Sequence, residues 1–282
     1  MIYELASYVP GIVQTDMYKT FKNNTLNDMK ENWKKDGIKI PDSDYVVCVS
    51  NPIEMIQYAS GVEPKDWTRI HKGREAYCQY YNNGTELIAA RNPCVSSGNI
   101  ICLNNSWNEQ FEYLTLSDNI IVVNSIESDI MDRASGMDYD SDQMWVSSNK
   151  LLVEKAKYCE EHYLTPVCKI TKEEVNKHNV IKDLVETDSK IAKGKIGHIV
   201  NMGQILQSYY WNIFFALEEN ESRGDKEKVL KTLYDKISLL SSASGAEIDS
   251  AKRQVIMDIN LELAELRTLG QQENKYAFLK NY

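Results

Sequence analysis

Between Asp44 and Ser125 the chain is made of short runs rich in Val, Ile and Tyr: "DYVVCVSN", "EAYCQYY", "TELIAARN", "NIICLNN" and "NIIVVNS". Asn, Gly, Ser and Pro separate them, and runs of this length and composition predict strands. "NPIEMIQYASG" interrupts them as a short helix. Many short strands mean many unpaired edges, and closing the sheet removes those edges. The expectation is therefore a compact β unit, closed or nearly so.

The texture differs on both sides of this unit. Residues 13–36 read as a helix or broken helix, capped by Thr15 or Asp16 and ended near Gly37. Their lysines suit a solvated face, with phosphate contact as the lesser alternative. Beyond Leu151 the period becomes helical. "NKLLVEKAKYCEEHY" spaces Leu152, Lys155, Ala156 and Cys159 along one face. A longer stripe runs through Ile199, Met202, Ile205, Leu206, Tyr209, Ile213 and Leu217. Two more helices are expected, "KEKVLKTLYDKISLLSSA" and Ala246 through Leu269. The fold class is α+β: a helical segment over 1–43, a β-barrel over 44–153, and a helical domain over 154–282.

Composition narrows the function classes. With 43% apolar and 26% charged residues in 282, the chain can bury a real core. A net charge of −9 argues against a broadly basic nucleic-acid coat but leaves a local basic groove open. The start "MIYELASYVPGIVQTD" has neither a basic nor a long apolar region, so no signal peptide is expected. No stretch approaches the roughly 20 apolar residues of a membrane helix. Cys48, Cys78, Cys94, Cys102, Cys159 and Cys168 form no C-x-x-C pair. They read as buried free thiols in a reducing compartment, and the chain as cytoplasmic.

One segment raises a question of its own. "SGMDYDSDQMW" places Asp138, Asp140 and Asp142 at alternate positions with no cation between them. Extended, Asp138 and Asp142 would lie about 13 Å apart, at about 3.3 Å per residue. Three carboxylates sharing one Mg²⁺, whose oxygens sit at about 2.0–2.1 Å, must converge. The segment would have to curl, with Ser135 and Gly136 as its pliable approach and Met144, Trp145 and Val146 as its anchor. Such a loop on a rigid β frame suits metal-assisted phosphoryl transfer. Two alternatives stand beside it. A calcium loop of the EF-hand type wants Gly at position 6 and Glu at position 12, where Gln143 and Asn149 stand here. A solvated acidic turn needs no ion at all.

"RNPCVSSGNIICLNN", then "LSDNIIVVNS", then "SGMDYDSDQMWVSSNKLL" resemble the second double-psi β-barrel of the cellular RNA-dependent RNA polymerases. The family pattern runs Arg-Asn-Pro-Cys, a Pro-Gly-Asp-Ile-like turn, an apolar strand, and Ser-Gly-Gly-Asp-Leu-Asp-Gly-Asp. "DYDSDQM" is also similar to the Asp-Phe-Asp-Gly-Asp-Gln-Met signature of the largest subunit of multisubunit RNA polymerases. Beyond the loop, "IGHIVNMGQILQSYY" and "LYDKISLLSSASGAEIDSAKR" resemble the helical region that follows the barrel, with Ile248, Asp249 and Lys252 matching its Ala-Val-Asp-x-x-Lys element. The resemblance covers roughly residues 85 to 255 and is shared with single-subunit phage-type polymerases, so it leaves DNA and RNA templates both open.

The resemblance implies a double-psi β-barrel followed by helices, and the metal-binding half of a template-directed RNA polymerase. Asp138, Asp140 and Asp142 would hold Mg²⁺, or Mn²⁺ in its place. Arg91 would face the ribose or phosphates of the incoming NTP, as a fixed fork of donors suits; its alternative is a salt bridge to a loop acid. On the first reading, Arg91→Ala weakens NTP binding and leaves the metal site nearly unchanged. Pro93 needs only a structural role. His71, His162, His178 and His198 match no motif element, and Tyr209, Tyr210 and Trp211 read as core. Ser141 stands where the family has Gly. Complete polymerases of this clan use two barrels, the first supplying lysines, and residues 1–84 show no convincing first barrel. Implied partners are a nucleic-acid template, NTPs and the remainder of a polymerase, with no membrane. The alternative function is a catalytically silent barrel-plus-helix scaffold that binds a protein or nucleic acid.

Overall fold

The computed structural model describes residues 2–36, 39–167, 180–191, 194–216, 223–253 and 264. Cys168, His178, Leu217 and the stretch from 254 to Leu269 apart from Ala264 lie outside the described residues. The chain divides into two compact units, Met1–Pro41 and Asp42–Tyr282. The first holds α1 (Ile2–Tyr8) and α2 (Asp16–Asp36). Thr15 caps α2 as expected: its Oγ1 accepts from the Tyr18 amide at 3.3 Å.

The second unit opens with the β module, whose strands follow the apolar runs. β1 (Ser43–Val49), β2 (Glu75–Cys78), β3 (Glu86–Ala90), β4 (Ile101–Asn105), β5 (Ile120–Val123) and β6 (Gln143–Ser147) close a barrel in the order β1-β5-β2-β4-β3-β6. Two pairings are parallel, β1 with β5 and β2 with β4, and the other four are antiparallel. Alternation fills the interior: Val46 and Cys48, Ala76 and Cys78, Leu87 and Ala89, Ile101 and Leu103, Ile121 and Val123, Met144 and Val146 all point inward. The opposite faces are used too. Val122 packs outward with Ile70 and Phe111, and Ile88 lies outward against Val153 and Ala156. α3 (Pro52–Ala59) is the expected short helix, and Asn51 caps it by accepting from the Ile53 amide at 3.0 Å.

A further short helix, α4 (Ile130–Arg133), follows β5, and α5 (Lys150–His162) follows β6. Asn149 caps α5, whose buried residues are Val153, Ala156 and Cys159; Ala156 and Cys159 of the expected face are buried, while Leu152 is half-buried and Lys155 exposed. α6 (Ile181–Ile191), α7 (Ile196–Ala216) and α8 (Arg223–Arg253) complete the described chain. Ile199, Met202, Leu206 and Tyr210 of α7 meet Leu230, Leu233, Ile237, Leu240 and Ala243 of α8 in one apolar cluster. α8 corrects the expectation of two helices. "SSASG" reads as a break, yet it continues the helix, because Ala243 and Ala246 are buried and Ser241 Oγ donates to Asn99 Oδ1 at 3.0 Å. Packing overrides local propensity there. Among the described residues no helix is long and apolar enough to cross a membrane. Cys48, Cys78, Cys94, Cys102 and Cys159 are free thiols.

His71 is a core histidine. It is fully buried, lies 5.4 Å from Phe111 ring to ring, and its Nε2 is 3.0 Å from the Ser106 carbonyl. Burial pulls its pKa below the ordinary 6.5, against the Ser106 bond and the Glu75 charge that raise it. The folded state therefore stays neutral where the unfolded chain already takes up a proton, and stability falls as pH drops through 6.5. Urea melts of wild type and His71→Gln from pH 8 to pH 5 should show a flatter acid limb in the variant. Parallel limbs would assign the loss to other groups.

Candidate active site

The three aspartates sit on the connection between α4 and β6, outside regular structure. The chain curls as the metal argument required. Ser135 and Gly136 both take left-handed backbone angles, φ 57° and 71°, and this reverses the chain just before Asp138. One carboxylate oxygen from each of Asp138, Asp140 and Asp142 lies within 4.8 Å of the others. Internal bonds shape the turn: the Asp138 amide donates to Asp142 Oδ2 at 2.9 Å, and the Asp140 amide to Asp138 Oδ1 at 3.3 Å.

The loop is tied to the barrel from several sides. The Cys48 amide of β1 donates to the Asp142 carbonyl at 2.8 Å. Tyr139, between two of the aspartates, turns into the barrel core, and its hydroxyl donates to the Val123 carbonyl at 3.1 Å. Ser135 Oγ donates to the Pro93 carbonyl at 2.9 Å. Burial, then the negative charge of Asp142, pushes the Cys48 thiol up to about 12. That thiol is inert at neutral pH.

Arg91 enters from the end of β3. Its Nη2 lies 2.7 Å from Asp142 Oδ1, and its Nη1 donates to the Ser135 carbonyl at 3.2 Å. The positive charge missing from the acidic segment is thus supplied 51 residues away in sequence. The geometry has the salt bridge that was the alternative for Arg91; it joins all four residues singled out in sequence into one cluster. By contrast, His71 and His162 lie elsewhere, and Tyr210 and Trp211 belong to the α7–α8 cluster.

Ser141 adopts φ 100°, a backbone angle that non-glycine residues rarely hold. Strain of this kind costs about 1–3 kcal/mol, more than the about 0.4–1 kcal/mol of unfolded-chain freedom that glycine adds. Ser141→Gly should therefore stabilise the protein by about 1 kcal/mol, read from a urea or thermal melt. A destabilised variant would mean that the serine hydroxyl, not the backbone, governs this turn.

Sequence reasoning missed the support of this loop. Arg133, two residues before Ser135, is 6% exposed in its side chain. It donates to the carbonyls of Gly98, Ile100 and Tyr163 at 3.1–3.2 Å and pairs with Asp129 at 3.4 Å. Asn99 Nδ2 donates in turn to the Arg133 carbonyl at 3.1 Å. No motif marks Arg133; only its placement just ahead of Ser-Gly hints at a role.

Hard carboxylate oxygens are the donors that Mg²⁺ and Mn²⁺ prefer. In an octahedral site neighbouring oxygens lie about 3 Å apart and opposite ones about 4.2 Å apart. The 4.8 Å spread of the three oxygens needs only small side-chain adjustments to match. The residues fit a divalent cation.

The comparison with curated proteins gave no match. Among solved structures, the RNA dependent RNA polymerase QDE-1 from Thielavia terrestris is similar to this chain, with 15% sequence identity and a TM-score of 0.46. The likeness covers 90% of this chain and 26% of that polymerase, so the chain spans about a quarter of its length. A family model described as RNA dependent RNA polymerase matches residues 9–269. That match takes in the barrel, the acidic loop and the described helices from α2 to α8, and the chain belongs to the RNA-dependent RNA polymerase family.

Proposed function

We propose that this chain is the metal-binding catalytic half of a template-directed RNA polymerase, in which residues 44–153 form the catalytic barrel and 154–282 a helical domain. The convergence of Asp138, Asp140 and Asp142 within 4.8 Å, on a loop of a closed barrel, carries the reading. The three carboxylates would hold Mg²⁺, or Mn²⁺, and when bound that ion supplies Lewis-acid activation of a hydroxyl and neutralises triphosphate charge. The chain's own contribution is placement. The Cys48 amide, the Tyr139 hydroxyl and the Ser135–Pro93 bond hold the loop to the barrel wall. Arg91 is poised at the same face to meet the ribose or phosphates of an NTP. A nucleic-acid template and a partner segment carrying a first barrel complete the reading, because the described residues form one barrel and residues 2–36 are mainly helical.

The two-part reading has a direct test. The purified chain alone, given template, NTPs and Mg²⁺, is expected to incorporate no nucleotide, because lysines from a first barrel are missing. Adding the remainder of the polymerase should restore incorporation. Robust template-dependent synthesis by the chain alone would overturn the need for a partner.

A further inference from the structure

Asp142 is engaged through both of its carboxylate oxygens. Its Oδ1 is 2.7 Å from Arg91 Nη2, and its Oδ2 accepts the Asp138 amide at 2.9 Å. Both oxygens are thus committed to donors of the protein itself. The Arg91 and Asp142 side chains are only 14% and 17% exposed, so water screens the pair weakly. Arg91 also holds the Ser135 carbonyl at 3.2 Å, which makes its guanidinium a strap from the start of the loop to its last aspartate. Such a charge-assisted bond is among the stronger kinds. A fixed positive charge beside one ligand also opposes a dication arriving there. The guanidinium fork fits a phosphate as well as it fits a carboxylate.

We propose, resting on the metal reading above, that Arg91 is a latch on Asp142. It holds the loop folded by supplying positive charge, and it lowers the loop's own affinity for a divalent cation. A triphosphate arriving at the same face competes with Asp142 for the fork and frees the carboxylate for the metal. Capture of the triphosphate and capture of the metal therefore favour each other, since both compete with one internal contact. This reverses the simplest expectation for Arg91, that its removal leaves the metal site unchanged.

The test is Mn²⁺ binding by the full chain without nucleotide, read by electron paramagnetic resonance, for wild type, Arg91→Gln and Arg91→Lys. Arg91→Gln is expected to bind Mn²⁺ about tenfold more tightly than wild type, inside the roughly 5–150-fold range of coupled sites. It should melt lower than wild type without Mn²⁺ and gain a larger upward shift with it. Arg91→Lys keeps the charge without the fork and should fall between the two; it carries the comparison if Arg91→Gln does not fold. Inorganic sulfate, a weak Mn²⁺ ligand, should raise Mn²⁺ affinity in wild type and leave Arg91→Gln unaffected. Affinity in Arg91→Gln and Arg91→Lys that equals or falls below wild type would overturn the latch while the metal reading stands. No Mn²⁺ binding by any of the three would overturn the metal reading and the latch with it.

Discussion

Arg133→Met is expected to cost about 3–5 kcal/mol of stability, because three carbonyls lose their guanidinium donor and each buried acceptor left unsatisfied costs about 1–3 kcal/mol. The arginine is the joint between barrel and helices. Its guanidinium satisfies the carbonyls of Gly98 and Ile100, just ahead of β4, and of Tyr163, just after α5. Met fills much of the same volume but donates nothing, so three carbonyls lose a charged donor and Asp129 loses one of its two arginine partners. The packing leaves little room to rearrange: a methyl group on Gly98 would collide with the Leu164 carbonyl oxygen. Arg133→Lys should recover only part of the loss, since one ammonium cannot span all three carbonyls. Urea unfolding of the three proteins reads this directly. A loss below about 1 kcal/mol for Arg133→Met would show that water replaces the guanidinium and that the joint is not structural.

The same residue marks where sequence reading stopped. The strands were legible because inward and outward residues alternate: Val46 and Cys48 inward on β1, Met144 and Val146 inward on β6. The curl of the acidic loop was legible because three carboxylates cannot share an ion on an extended strand, and Ser135 and Gly136 do take the left-handed angles that allow it. Ser141 was legible as an oddity, and its φ of 100° supplies the reason. Long-range polar pairing was not legible. Nothing in "RNPC" says that Arg91 reaches Asp142, and nothing in "MDRASG" says that Arg133 reaches the carbonyl of Tyr163. Both depend on how the closed barrel brings distant loops together. The continuity of α8 was hidden for a related reason: a run of Ser, Ala and Gly is a poor helix by propensity and a good one where Ala243 and Ala246 are buried.

Asp140→Asn is expected to have the largest functional effect: catalysis by the complete enzyme abolished, with the fold intact. Asp140 is the exposed, central carboxylate of the triplet. Asn keeps its shape and removes one negative charge. If the triplet were only a crowded acidic turn, the substitution would relieve repulsion among like charges, leave function untouched and raise stability slightly. If the triplet is a metal site, the substitution removes a ligand. An ion that binds only the folded protein stabilises it by RT ln(1 + [L]/Kd), about 2.7 kcal/mol at a hundredfold excess over Kd. The deciding measurement is a pair of melting curves on the chain itself, wild type and Asp140→Asn, each with and without millimolar Mn²⁺. The metal reading expects a clear upward shift in wild type and the loss of most of it in the variant; equal shifts in the two proteins would contradict it.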